Sequence, residues 1–340
     1  MTKRLVMCCD GTWNTAGQKC PTNVEKMIRT IAPYDAQGME QKAFYHAGVG
    51  TKRWERIRGG AFGFGLSRNV RDCYRFLVEN YQPTDELFFL GFSRGAFTAR
   101  STAGFVRNAG ILRREHIDYI DKAYDLYRDD EGPDSPEAVA FRSAYAYSDE
   151  TPIRFIGVWD TVGALGVPNV GLPGTNFLNR KYAFHDTKLS SKVRSAFQAL
   201  AIDEARMPFQ PTLWQPQPHS IGQDLEQVWF AGVHCDVGGG YPKGELADIA
   251  LYWLSTRAQA CGLGFTSSPA RPKDAFAMGK VHDSRTGLYK LLRPYHRPLG
   301  DKDPEHEYVA SSVTQRRNQE GYAPENLDAY LKGPHQELPI

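Results

Sequence analysis

The chain has 340 residues, 41% of them apolar and 12% aromatic, and its 41 Lys and Arg against 39 Asp and Glu leave a net charge of +2. That composition can bury a sizeable core, which excludes intrinsic disorder, and its near-neutral balance argues against coating a nucleic acid, so no nucleic-acid partner is expected. No apolar run approaches the roughly 18 residues a membrane span needs, and mean hydropathy is −0.49, so no transmembrane segment is expected either.

The apolar stretch ending at Cys9 is too short for a secretory core and lacks a small-residue cleavage site. Cys8, Cys9, Cys20, Cys73, Cys235 and Cys261 show no C-x-x-C spacing and read as buried thiols in a reducing compartment rather than as a disulfide frame. The expectation is a cytoplasmic protein, with contact-dependent secretion as an alternative route. Its length suits one α/β domain over 1–340.

Runs rich in β-branched and aromatic residues alternate with stretches of helical period, the pattern of a largely parallel sheet flanked by helices on both faces. In chain order, Arg4 to Cys9 reads as a strand that ends in Asp10-Gly11-Thr12-Trp13-Asn14, and Lys42 to Ala47 as a second. Gly59 to Gly65 reads as a flexible apolar flap, since no Gly-Lys-Ser/Thr follows to make it a phosphate cradle. A helix is expected from Ser67, where Val70, Cys73, Tyr74, Leu77 and Val78 form one stripe. Glu86 to Phe92 is a strand and Ala96 to Asn108 a helix; Ile153 to Trp159 is again a strand. A helix is expected from about Ser191 to Ala205, burying Val193, Phe197, Leu200 and Ala201. Gln227 to Val233 completes the strands, and a helix from Glu245 stops at Gly262. Residues 129–151 and 167–190, rich in Pro, Gly, Asp and Asn, read as insertions that form a lid or pocket wall. Residues 265–340 read as a wrapping extension.

The chemistry-bearing segment is Gly91-Phe92-Ser93-Arg94-Gly95, a Gly-x-Ser-x-Gly pattern between an apolar strand and a helix of small residues. Glycines flank such a serine because side chains there would strike the neighbouring strand and helix, and the strained turn exposes the hydroxyl as a nucleophile. The backbone N–H of Arg94 can then donate to an oxyanion, and Gly11 and Thr12 are candidates for the second donor, with Asp10 holding their loop. A serine needs a base and usually a carboxylate to orient it. Asp160 and His234 follow later strands, giving the order Ser, acid, His. Asp236 with His282 is the alternative pair. Asp10, Asp160, His234 and Asp236 also constitute an oxygen and imidazole set that a hydrolytic metal could use, and a hydrolase-like scaffold that only binds is a third reading. The serine reading calls for no cofactor and no metal.

Several segments together resemble a known family. They are Cys9 to Asn14, Gly48-Val49-Gly50-Thr51, Gly91 to Arg100, Val158 to Ala164, Ala201 to Arg206, and Gly232 to Tyr241. The chain is similar to the α/β-hydrolase-like proteins, once grouped as a domain of unknown function, that include the type VI secretion phospholipase effectors of the first class. The resemblance implies an α/β-hydrolase-like fold and a Ser93, Asp160, His234 hydrolase of ester bonds, with lipids or phospholipids as substrate. It also implies an immunity or secretion partner if the protein is an effector. Asp203 and Arg206 are expected to pair with each other or with nearby loops.

Overall fold

The computed structural model describes residues 2–11, 14, 17–48, 61–129, 131–163, 188–218, 220 and 222–340. Eight strands, β1 (Arg4–Cys9), β2 (Gln41–His46), β3 (Glu86–Phe92), β4 (Ile153–Trp159), β5 (Val193–Ala201), β6 (Asp224–Phe230), β7 (Glu307–Ala310) and β8 (Glu337–Leu338), form one sheet. Their order is β2-β1-β3-β4-β5-β6-β7-β8 and every pairing is parallel. Parallel neighbours require crossovers, which helices supply.

Those helices are α1 (Asn23–Thr30), α2 (Ala61–Asn80), α3 (Arg94–Ala109), α4 (Ile120–Arg128), α5 (Pro136–Tyr145), α6 (His234–Gly238), α7 (Glu245–Ala260), α8 (Ser311–Glu320) and α9 (Glu325–Leu331). Strand side chains alternate between faces, and β1 shows it. Val6 and Cys8 join one apolar cluster with Val24 of α1 and Ile249 and Trp253 of α7. Leu5, Met7 and Cys9 join the other with Tyr74 of α2, Phe105 of α3 and Phe141 of α5. The result is a three-layer, α/β-hydrolase-like architecture.

Three expectations change. The span around Val193 to Ala201 is strand β5, not a helix, and all but one of its residues are buried. A strand covered on both faces loses the polar alternation that marks its period, so its apolar residues happened to satisfy a helical template. Helix α2 begins at Ala61, six residues before Ser67, and takes in most of the expected flap. Gly59 and Gly60 lie outside the described residues, as do residues 167–187 of the second insertion. Strand β6 starts and ends three residues before the expected Gln227 to Val233, because Gly232 turns the chain at φ 110°.

Within 129–151, α5 packs through Phe141 on the face that holds Tyr74 and Phe105, and the buried Arg142 donates to the carbonyls of Asn108 and Pro133. The 265–340 segment supplies the last two strands and brings Arg297 and Arg316 into the interior.

Candidate active site

The sheet order reverses at β1, which lies between β2 and β3, and open parallel sheets place their ligand crevice beyond the strand ends at such a point. Ser93 stands there, between β3 and α3. Its backbone is at φ 58°, ψ −122°, a region that costs a non-glycine residue roughly 1–3 kcal/mol. The turn is held on both sides: the Ser93 N–H donates to Trp159 O of β4 at 3.0 Å, and the Ser93 carbonyl accepts from Phe97 N. Both flanking glycines are sterically required. A Cβ at Gly91 would stand 2.6 Å from Gly95 O, and one at Gly95 would overlap the Cys9 carbonyl. Ser93 itself is 6% exposed.

One strand over, Asp160 leaves β4 at φ 41° and is completely buried. Its Oδ2 accepts from His234 Nδ1 at 2.5 Å. An ionised carboxylate can only accept, so the proton sits on Nδ1 and the lone pair on Nε2. The imidazole packs against Phe92, the residue before Ser93, with ring centroids 4.6 Å apart, and against the edge of Phe209 at 5.0 Å. Burial alone would push the Asp160 carboxyl up. The Arg297 guanidinium and the His234 hydrogen bond overcome that and hold it well below the usual carboxylate range.

His234 opens the short helix α6, and its N–H donates to Glu204 Oε2 at 3.3 Å. Glu204 is bound by Arg206 Nε and Nη2, both at 2.8 Å, and by Ser284 Oγ. Burial opposes ionisation of Glu204 too, and Arg206 outweighs it, so its carboxyl is lowered. Arg206 therefore pairs with Glu204 and not with Asp203, whose Oδ2 accepts from Gly232 N and Tyr322 OH.

The second expected pair also forms, with Asp236 two residues after His234 in the same helix. His282 Nδ1 meets Asp236 Oδ1 at 2.6 Å, and the other Asp236 oxygen accepts the N–H groups of Val233 and His282. The His282 ring stacks on Tyr241 at 4.0 Å. The Asp160 and His234 pair adjoins the Ser93 turn through Phe92, which packs on the imidazole, and Trp159, whose carbonyl accepts the Ser93 N–H.

Asp10 is buried, and burial raises its carboxyl. Its oxygens accept from Thr22 Oγ1, Tyr45 OH and Gly11 N at 2.7–2.8 Å. The Gly11 N–H, expected as an oxyanion donor, donates here to Asp10 Oδ1. Gly11 does lie against the nucleophile turn, since a Cβ there would be 3.3 Å from Ser93 Cβ. Thr12 lies outside the described residues. The Arg94 side chain lies partly inside the protein, and burial lowers its guanidinium to about 10. Asp10, Asp160, His234 and Asp236 do not converge on one point, and among the described residues no three His, Cys, Asp or Glu side chains form a group able to hold a metal ion.

Sequence reasoning missed Arg297 and Glu204. Glu204 lies in the segment Ala201 to Arg206 with no motif to give it a role, and Arg297 lies in a Pro- and Arg-rich stretch with no period to mark it as interior.

A parallel sheet with a strained serine at the β3-to-α3 turn, and a buried Asp–His pair beside it, defines an α/β-hydrolase-like protein. Within that class, the family model described as the T6SS phospholipase effector Tle1-like catalytic domain matches residues 3–257, and the chain belongs to that family. It is 25% identical over 240 residues to the uncharacterized protein YEL023C of Saccharomyces cerevisiae, covering 64% of this chain and 33% of that protein. It is also similar to the crystal structure of an uncharacterized protein from Pseudomonas aeruginosa, with 16% identity, TM-score 0.46, and coverage of 78% of this chain and 46% of that one. A third likeness is to the Tle1 effector bound to the VgrG spike of the type 6 secretion system, with 18% identity, TM-score 0.36, and coverage of 72% and 52%. The chain thus spans about a third of the curated relative's length and about half of each structural neighbour's. Among the described residues no helix is long and apolar enough to cross a membrane.

Proposed function

We propose that the protein hydrolyses carboxylic ester bonds of phospholipids through an acyl-enzyme on Ser93. The observation that carries the reading is the short link between Asp160 Oδ2 and His234 Nδ1, placed one strand from a serine in a strained strand-to-helix turn. Membership of the phospholipase effector family supports a lipid ester as substrate.

His234 Nε2, left unprotonated by the Asp160 contact, takes the Ser93 proton as Oγ attacks the ester carbonyl. The carbonyl oxygen becomes an oxyanion at the amino end of α3. There the first-turn N–H groups, Arg94 foremost, point along the helix axis with the positive end of its dipole. The imidazolium, stabilised by Asp160, returns the proton to the leaving alcohol. Water repeats the cycle in reverse to free the acid and restore Ser93. Asp10 fixes the β1 loop beside the nucleophile.

The test is release of fatty acid from phospholipid vesicles by the purified protein and its Ser93→Ala variant. Release by the wild type and a loss of about 10³-fold or more in the variant are expected, the scale of removing a catalytic serine. Equal release by both would refute the serine mechanism.

A further inference from the structure

The acid of the site is held by a residue far down the chain. Arg297 is 0% exposed. Its Nη1 donates to Asp160 Oδ1 at 2.6 Å and its Nη2 to Asp160 Oδ2 at 3.0 Å. Nη1 and Nη2 also reach the carbonyls of Ala201 and Phe209, while Nε has no hydrogen-bond partner among the described residues, and the Arg297 carbonyl is bound by Asn326 of α9. Arg297 lies 137 residues from Asp160 and outside the 3–257 region that the family match covers.

We propose that Arg297 is a positioning residue for the hydrolysis: its guanidinium clamps both oxygens of Asp160 so that the carboxylate meets His234 in one orientation and one charge state. The proposal rests on the Ser93, Asp160 and His234 reading. It adds that the carboxyl-terminal segment completes the active site rather than merely covering it.

Two physical consequences separate this role from simple packing. A bidentate guanidinium fixes the plane of a carboxylate, which a lone hydrogen bond does not. It also balances charge around the imidazole. Two carboxylates, Asp160 and Glu204, and two guanidiniums, Arg297 and Arg206, surround His234, together with the half-buried thiol of Cys235, whose ionisation desolvation opposes. Glu204 and Arg206 offset one another, so Arg297 supplies the net positive charge beside the Asp160 and His234 pair, and its removal takes that charge away. That pair then takes up a proton at higher pH, whichever partner carries it, and a protonated pair cannot accept the Ser93 proton.

The experiment compares kcat, KM and the pH dependence of kcat/KM for the full-length wild type, Arg297→Met and Arg297→Lys on a soluble short-chain ester. Arg297→Met is expected to lose about 10-fold or more in kcat with KM within about threefold, and its acid limb to move upward by about 0.5 pH unit or more. Arg297→Lys keeps the charge and loses the fork, so its limb stays within about 0.2 unit of wild type while kcat falls roughly 3- to 30-fold. An Arg297→Met limb that does not move, in a folded protein, overturns the proposal. If Arg297→Met does not fold, the Lys variant decides: unchanged kcat overturns the proposal, and lowered kcat with an unmoved limb supports it. Labelling of the wild type by a fluorophosphonate, lost in Ser93→Ala, is read in parallel. Loss of that Ser93 dependence sinks the underlying catalytic reading, whereas Ser93-dependent labelling with an indifferent Arg297 sinks this inference alone.

Discussion

Phe92 and Gly238 touch across the site. A Cβ at position 238 would fall inside the Phe92 ring, the same ring that packs against His234. The helix carrying His234 can therefore lie this close to the nucleophile turn only because its last residue has no side chain.

Gly238→Ala is accordingly expected to push Phe92, and with it either Ser93 or His234, out of place. Overpacking of this kind destabilises by about 1–3 kcal/mol. Thermal unfolding and ester turnover should both fall; a variant with wild-type melting temperature and rate would show that the contact is slack.

The two Asp–His pairs should respond differently to truncation. His234→Ala is expected to abolish turnover, by about 10³-fold or more. His282→Ala should keep turnover within about tenfold and cost about 1–3 kcal/mol of stability, because buried Asp236 loses its imidazole donor while keeping two backbone N–H groups. Urea denaturation alongside an ester assay reads both. Loss of turnover in His282→Ala at undiminished stability would move the base to His282.

Cys235 adjoins His234 in sequence, so a cysteine nucleophile has to be weighed against Ser93. Burial pushes its thiol up to about 12, from an ordinary value of 9.0. At pH 9 an ordinary thiol is half ionised, whereas one titrating near 12 is ionised only about one part in a thousand, and the thiolate is the reactive form. Iodoacetamide at pH 9 should thus alkylate Cys235 in the folded protein at least about 100-fold more slowly than free N-acetylcysteine. Labelling at the free-thiol rate, followed by mass spectrometry of the peptide, would contradict this.

Much of this arrangement was legible in the residues. The Gly91, Ser93, Gly95 spacing announces a turn that tolerates no Cβ on either side, and the close approaches at both glycines bear that out. Strands β1, β3 and β4 were readable because each is a short apolar run with clear polar or glycine ends. The pairing of Asp160 with His234 followed from both standing at strand ends. Strand β5 was not legible for the opposite reason: Arg194, Ser195 and Gln198 interrupt its apolar run, and the apolar residues left match a helical spacing. Arg297 left no local trace, because its role is set by a partner on another strand and a charged residue in a polar stretch ordinarily lies in water. The hydrogen bond from Gly11 to Asp10 was likewise invisible, since an Asp-Gly pair is compatible with either a free or a satisfied N–H.

The proposed chemistry depends first on the hydroxyl of Ser93. Incubation of the purified wild type and Ser93→Ala with a fluorophosphonate probe, followed by peptide mapping, reads that hydroxyl alone. Adduct on the peptide containing Ser93 in the wild type, and none in the variant, is the expected result; an adduct that persists in Ser93→Ala, or forms on another residue in the wild type, would contradict it.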